Sequence, residues 1–222
     1  MLPGDLKGSP DESLFSAKEN SHCNETLVFI DEGFLAKLSK HLGKGRYVKF
    51  DKFLFAKLLA QKERLDCRHI FYYTAPPFQS NRPTRDEELR KRGYDRFIKS
   101  LKKSSLITIR EGRCQRLLID SHLIFKQKYV DVLLTIDLMR IPLKYPQIQR
   151  VILISSDSDF VPAIHALKEF GIKVILYTFY EKKRNTNFSR SNDLVKAVHK
   201  YVLLTQQDFL NAEKTRRSEH AS

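Results

Sequence analysis

Val151-Ile152-Leu153-Ile154-Ser155-Ser156-Asp157-Ser158-Asp159-Phe160 is the stretch on which the fold turns. Its first four residues are aliphatic without a polar interruption, which predicts a strand buried on both faces. Phe160, Ile164 and Leu167 then recur at helical spacing, Pro162 stands where a first-turn N–H has no intrahelical partner, and Gly171 closes the helix. IKVILYTF, 172–179, predicts another buried strand. Strand, crossover helix and strand make a βαβ unit, so a parallel sheet is expected, with ligands bound beyond the carboxyl ends of its strands. Asp157 and Asp159 stand at that end. Each also has a plain structural explanation, Asp159 as a helix N-cap and Asp157 as a turn residue.

Working outward, the same pattern recurs near the start. In ETLVFID, Leu27 to Ile30 form a compact apolar strand that delivers Asp31 to its carboxyl end, and Phe34, Leu35, Leu38 and Leu42 lay an apolar stripe on a helix. Asp51 is placed to cap a second helix carrying Leu54, Phe55, Leu58 and Leu59 on one face. RHIFYYTAPP (68–77) and LITIR (106–110) predict two more strands, separated by a basic segment with a helical stripe of Tyr94, Phe97, Ile98 and Leu101. RLLIDSHLIF, within 111–128, predicts a hairpin whose position is open. Residues 1–24 read as a flexible tail, 25–205 as one α/β domain, and 206–222 as a polar tail.

Composition narrows the function class. Lys and Arg total 40 against 26 Asp and Glu, a net charge of +14, which favours polyanionic partners. Three separated cysteines fit neither a disulfide framework nor a zinc knuckle and suggest a reducing compartment. No run approaches membrane-spanning length and no secretory signal is apparent, so a cytoplasmic location without membrane partners is expected. No Gly-rich phosphate loop, zinc spacing or nucleophile elbow is present.

The segment Tyr129 to Met139 reads as a helix on which Asp137 interrupts the apolar stripe of Val130, Leu133 and Leu134. A carboxylate there is costly unless paired, hydrogen-bonded or bound to a cation. Asp131, in the first turn, also suits the helix dipole. Carboxylates gathered from separate strands and a helix make an oxygen-only donor set suited to Mg²⁺ or Mn²⁺.

VFID, KYVDVLLTIDLM and ISSDSDFVPAIHALKEFGIKVILYTF together resemble the signature blocks of NYN domains, the LabA-like branch of the PIN-domain ribonuclease superfamily. The resemblance covers about residues 26–203. It implies a three-layer PIN-like α/β fold, with a central, mostly parallel sheet of about five strands and helices on both faces. It also implies metal-dependent hydrolysis of RNA by a metal-activated water, with Asp31, Asp131, Asp157 and Asp159 as catalytic and metal-holding acids. Asp137 matches a further acid frequent in this branch, and is taken as a candidate metal ligand. The chain departs from the family pattern after the first aspartate, where Glu32-Gly33-Phe34 replaces a Gly-Asn-Asn-like turn. Glu32 either substitutes as an acid or marks a domain that binds RNA without cutting it.

Both readings require RNA, single-stranded or structured, as partner, and a homodimer is compatible with them. Arg82, Arg85, Arg90, Lys91 and Arg92, with Lys182, Lys183, Arg184 and Arg190, are the candidate phosphate contacts, weighed against a merely solvated basic surface. Tyr72, Tyr73 and Phe188 are candidate stacking surfaces, with core packing favoured for the two tyrosines. A phosphatase of the haloacid dehalogenase type ranks last, since Asp31-Glu32-Gly33 lacks the Asp-x-Asp it requires.

Overall fold

A computed structural model of the chain describes residues 24–120, 122–182 and 188–213. Eight strands are described: β1 Glu25–Asp31, β2 Asp66–Thr74, β3 Ile107–Glu111, β4 Arg113–Ile119, β5 His122–Lys128, β6 Arg150–Ile154, β7 Lys173–Thr178 and β8 Lys200–Leu203. Helices α1 Glu32–Leu42, α2 Lys52–Lys62, α3 Arg85–Leu101, α4 Val130–Met139, α5 Ile141–Lys144, α6 Val161–Glu169, α7 Asn192–Ala197 and α8 Gln206–Asn211 alternate with them.

Six strands form one sheet in the order β3-β2-β1-β6-β7-β8, every pair parallel. The chain starts in the middle, winds out to β3, then returns to the other side of β1 and winds out to β8. Connections therefore diverge between β1 and β6, which opens a crevice at the carboxyl ends of those two strands. Residues Ile30 and Ile154 pair directly across it.

Side-chain alternation explains why both faces are covered. Leu27, Phe29, Val151, Leu153, Val174 and Leu176 pack on one face with Leu134 and Leu138 of α4 and Ile164 and Leu167 of α6. Val28, Ile30, Ile152, Ile154, Ile175 and Tyr177 pack on the other, with Leu35 and Leu38 of α1 and Phe55 and Leu59 of α2. A sheet buried on both faces needs the near-continuous apolar runs seen in β1 and β6.

Two features differ from the sequence reading. The sheet has six strands, because KYVL at β8 joins as an edge strand whose largely exposed residues lack the apolar signature of a buried one. The polar stretch beyond residue 205, read as a helical or disordered tail, begins with a helix that packs on the domain: α8 inserts Phe209 between Phe50 and Phe55, with ring centroids 4.9 and 5.1 Å away. One fully buried aromatic and the ion pair of Asp208 with Lys62 anchor this otherwise polar helix. The hairpin falls outside the main sheet, β4 and β5 forming a two-stranded antiparallel ladder of their own.

Candidate active site

Asp31 ends β1 and caps α1. Its Oδ1 accepts a hydrogen bond from the Phe34 N–H at 3.2 Å, which satisfies a first-turn donor, and its Oδ2 accepts one from the Ser155 hydroxyl at 2.9 Å. Ser155, fully buried just past β6, also accepts from the Asp157 N–H at 3.2 Å. One serine thus ties the acid of β1 to the acid of β6. The sequence reading passed over Ser155; its signal was a small hydroxyl residue wedged between a buried strand and an acidic turn.

Asp157 accepts from the Asp159 N–H at 2.9 Å and caps the short 3₁₀ turn Ser158–Phe160 that leads into α6. The capping duty expected of Asp159 therefore belongs to Asp157, and the carboxylate of Asp159 stands exposed. Asp131 enters from the first turn of α4, directly after Tyr129, which takes φ 73° in the left-handed region. A tyrosine in that region stores about 1–3 kcal/mol of strain, which the surrounding packing must offset.

Electrostatics couples these acids. The Asp31 carboxyl is pushed up to about 6, chiefly by burial and further by the charges of Asp131 and Asp157, against the opposing pull of the Phe34 and Ser155 hydrogen bonds. Asp131 is raised above its ordinary value by desolvation, then by Asp157 and Asp159. Through Asp131, which feels Asp31, Asp157 and Asp159, the four aspartates form one linked set at the crevice between β1 and β6. Asp31 and Asp157 line a cleft of about 440 Å³ there, with Gly33, Lys37, Ser156 and Arg190.

The donor set is oxygen-only and mutually repulsive, chemistry that fits a hard divalent cation. Among the described residues, no three His, Cys, Asp or Glu side chains stand close enough to make a ready-formed metal cage. Such a site would assemble by drawing the carboxylates together against their repulsion.

Other candidates fall elsewhere. Asp137 is buried, but both its oxygens are taken: Arg110 donates from Nε at 2.8 Å and from a terminal nitrogen at 3.2 Å, and the Tyr73 hydroxyl donates at 3.1 Å. That corrects its reading as a metal ligand, since the cation that offsets its burial is a guanidinium. Glu32 turns away from the cleft toward Lys52, 3.5 Å off, and the Tyr72 hydroxyl, so it does not replace the missing amide. Tyr72 and Tyr73 are core residues. Phe188 is also buried, against His41 and Phe179, which removes it as a stacking surface.

Of the basic candidates, Arg190 lines the acidic cleft and lies over the Tyr180 ring at 5.3 Å. Lys182 is exposed. Arg82 precedes α3 and Arg85, Arg90, Lys91 and Arg92 lie on it; Lys91 pairs with Asp95 at 2.5 Å, and Arg90 lines a separate cavity shared with Glu32 and Tyr94. Lys183 and Arg184 lie outside the described residues. No described helix is long and apolar enough to cross a membrane.

No curated protein matches the sequence. Among solved structures, the chain is similar to a protein of unknown function, VPA0982 from Vibrio parahaemolyticus RIMD 2210633, with a TM-score of 0.53 and 17% identity over 85% of this chain and 96% of that one. That likeness establishes a shared fold. Residues 25–204 match the family profile of the NYN domain, a span that takes in the whole six-stranded sheet and the four coupled aspartates. The chain belongs to the NYN domain family, within the PIN-like ribonuclease superfamily.

Proposed function

We propose that the cleft between β1 and β6 hydrolyses RNA phosphodiester bonds with Mg²⁺ or Mn²⁺ held by Asp31, Asp131, Asp157 and Asp159, as in the LabA-like branch that the KYVDVLLTIDLM block resembles. The observation that carries this reading is the coupling of these carboxylates at the divergence point of the sheet, with Asp31 raised to about 6 and, among the described residues, only the Phe34 N–H and the Ser155 hydroxyl bonded to its oxygens. When bound, such an ion supplies positive charge to a scissile phosphate and lowers the pKa of a water.

The chain's own residues do the rest. Ser155 and the Phe34 N–H fix the Asp31 carboxylate in orientation, and the Asp159 N–H fixes that of Asp157. Arg190, on the cleft wall, draws a phosphate toward the acids and offsets their field. Gly33 leaves room for the approach, because a Cβ there would stand 3.2 Å from Asp31 Oδ1.

A second reading, RNA binding without cleavage, is favoured by one observation: Glu32 lies toward Lys52 and lines a separate cavity, not the acidic cleft, so the residue after Asp31 offers nothing to the cleft. Labelled single-stranded and structured RNAs incubated with the protein in Mn²⁺ or EDTA separate the two. Cleavage in Mn²⁺ that EDTA and Asp157→Asn both abolish is the expected result. Tight binding with no cleavage in any divalent ion would establish the second reading.

A further inference from the structure

The β4–β5 hairpin stands outside the main sheet, and among the described residues no further strand pairs with either of its edges. It carries Leu118, Leu123 and Phe125 at 70%, 59% and 50% exposure, and such a patch on a two-stranded ladder, marginal in water by itself, marks a surface that meets a partner. The pleat sorts its residues. Cross-strand pairs Arg116 with Phe125 and Cys114 with Gln127 share one face.

That face is turned to the body of the protein, beside the acids. The Gln127 amide oxygen lies 3.4 Å from the point where a Gly33 Cβ would stand, and Asp31 Oδ1 lies 3.2 Å from the same point. Two residues back along the strand, about 7 Å away, the Phe125 ring meets Phe78 at 5.7 Å between centroids. The Arg116 guanidinium lies 4.9 Å over the Phe78 ring. Phe78 in turn sits on a braced loop, where Glu87 Oε2 accepts from the Ser80 hydroxyl at 2.7 Å and the Thr84 N–H at 3.0 Å, and Gln79 donates to the Glu87 carbonyl at 2.8 Å.

We propose that the β4–β5 hairpin is a clamp for single-stranded RNA entering the acidic cleft, with Phe125 and Phe78 offering a stacking face to an unpaired base and Arg116 a phosphate contact. Base stacking on an aromatic ring beside a guanidinium is how unpaired nucleotides are held. Charge selects the occupant. The hairpin carries Arg113, Arg116, Lys126 and Lys128 against Asp120 alone, which suits a polyanion. Self-pairing of β5 about a two-fold axis at Gln127 would instead set Lys126 of one copy against Lys128 of the other. The clamp rests on the nuclease reading only for the direction in which the strand leads.

The test is fluorescence anisotropy of a fluorescein-labelled single strand of about 12 nucleotides, and of the same sequence as a duplex, with the full chain in EDTA so that nothing is cut. Phe125→Ala is expected to weaken single-strand affinity about tenfold and leave the duplex unchanged, while Phe125→Tyr, which keeps the ring, binds like wild type with an unchanged melting temperature. Arg116→Glu is expected to weaken binding and to reduce the salt dependence by about one ion. Wild-type affinity in both Phe125→Ala and Arg116→Glu overturns the clamp, as does equal weakening for duplex and single strand. Conversion of a dimer to a monomer by Phe125→Ala with RNA affinity intact also overturns it, in favour of self-association. Binding that follows these expectations in a protein that never cuts RNA in Mn²⁺ keeps the clamp and removes the nuclease; cutting that ignores both substitutions does the reverse.

Discussion

Asp31 and Asp137 are almost equally buried, at 9% and 7% exposure, yet their surroundings are opposite. Asp137 receives a two-pronged Arg110, the Tyr73 hydroxyl and, at 3.7 Å, Arg140. The pairing in turn raises the Arg110 guanidinium above its ordinary range. Among the described residues Asp31 receives only neutral donors, the Phe34 N–H and the Ser155 hydroxyl, and the charges that shift it are those of Asp131 and Asp157. Burial alone therefore does not separate a functional carboxylate from a structural one; the sign of the surrounding charge does. One acid has its counter-ion built in. The other is held in orientation by neutral donors, ready for a cation or a proton.

The largest effect that would break this contrast is on chemistry. Asp157→Asn keeps shape and one acceptor oxygen but removes charge from the coupled set, so Mn²⁺-dependent RNA cleavage should fall by at least about 100-fold, with RNA affinity unchanged or slightly raised. Asp137→Asn should leave the cleavage rate near wild type at a temperature where both are folded. If the two variants lost activity equally, the contrast would be wrong.

Stability should reverse the order. Asp137→Ala leaves the Arg110 guanidinium and the Tyr73 hydroxyl without their acceptor and should cost about 2–3 kcal/mol in urea unfolding, the half-exposed Arg110 keeping the loss from being larger. An unfolding midpoint equal to wild type would show that water replaces the pair without penalty.

Asp31 should give a pH signature in metal-free buffer. Its folded value of about 6 against the ordinary 3.8 means that the native state binds the proton more tightly, so stability falls as pH rises between those values and levels off above them. Asp31→Asn should remove that slope and raise stability at pH 8 by about 1–3 kcal/mol, with little gain at pH 4. Urea midpoints for both proteins across that range provide the check, and a variant less stable at pH 8 would contradict the raised value. Ser155→Ala should have the smallest effect, about 1 kcal/mol. Without that hydroxyl the Asp31 carboxyl moves further up, so the pH at which Mn²⁺ binding is half lost, followed by calorimetry, should rise. A fall would mean that Ser155 does not hold Asp31 in its charged form.

The parallel core was legible from apolar runs. VFI in β1 and VILI in β6 are continuous because both faces of the sheet are covered, and the acids that follow them stand at strand ends because a strand ends where polar residues resume. Asp31 and Asp157 could thus be named from local pattern. KYVL at β8 could not be read in the same way, because an edge strand with exposed side chains lacks the apolar signature, and the docking of Phe209 in the core was hidden by its polar neighbours.

Tertiary structure decided which acids share a field. Asp131 and Asp137 lie on one helix, and nothing in the spacing tells that the first couples to Asp157 and Asp159 while the second meets Arg110 from β3. It also decided that Ser155 bridges two strands, that Glu32 turns toward Tyr72, and that the hairpin brings Gln127 beside Gly33. The physical reason is the range of the forces concerned. Hydrophobic periodicity is written along a few successive residues, whereas the partner of a buried charge comes from whatever strand or helix the topology places next to it, more than 100 positions away for Asp31 and Ser155.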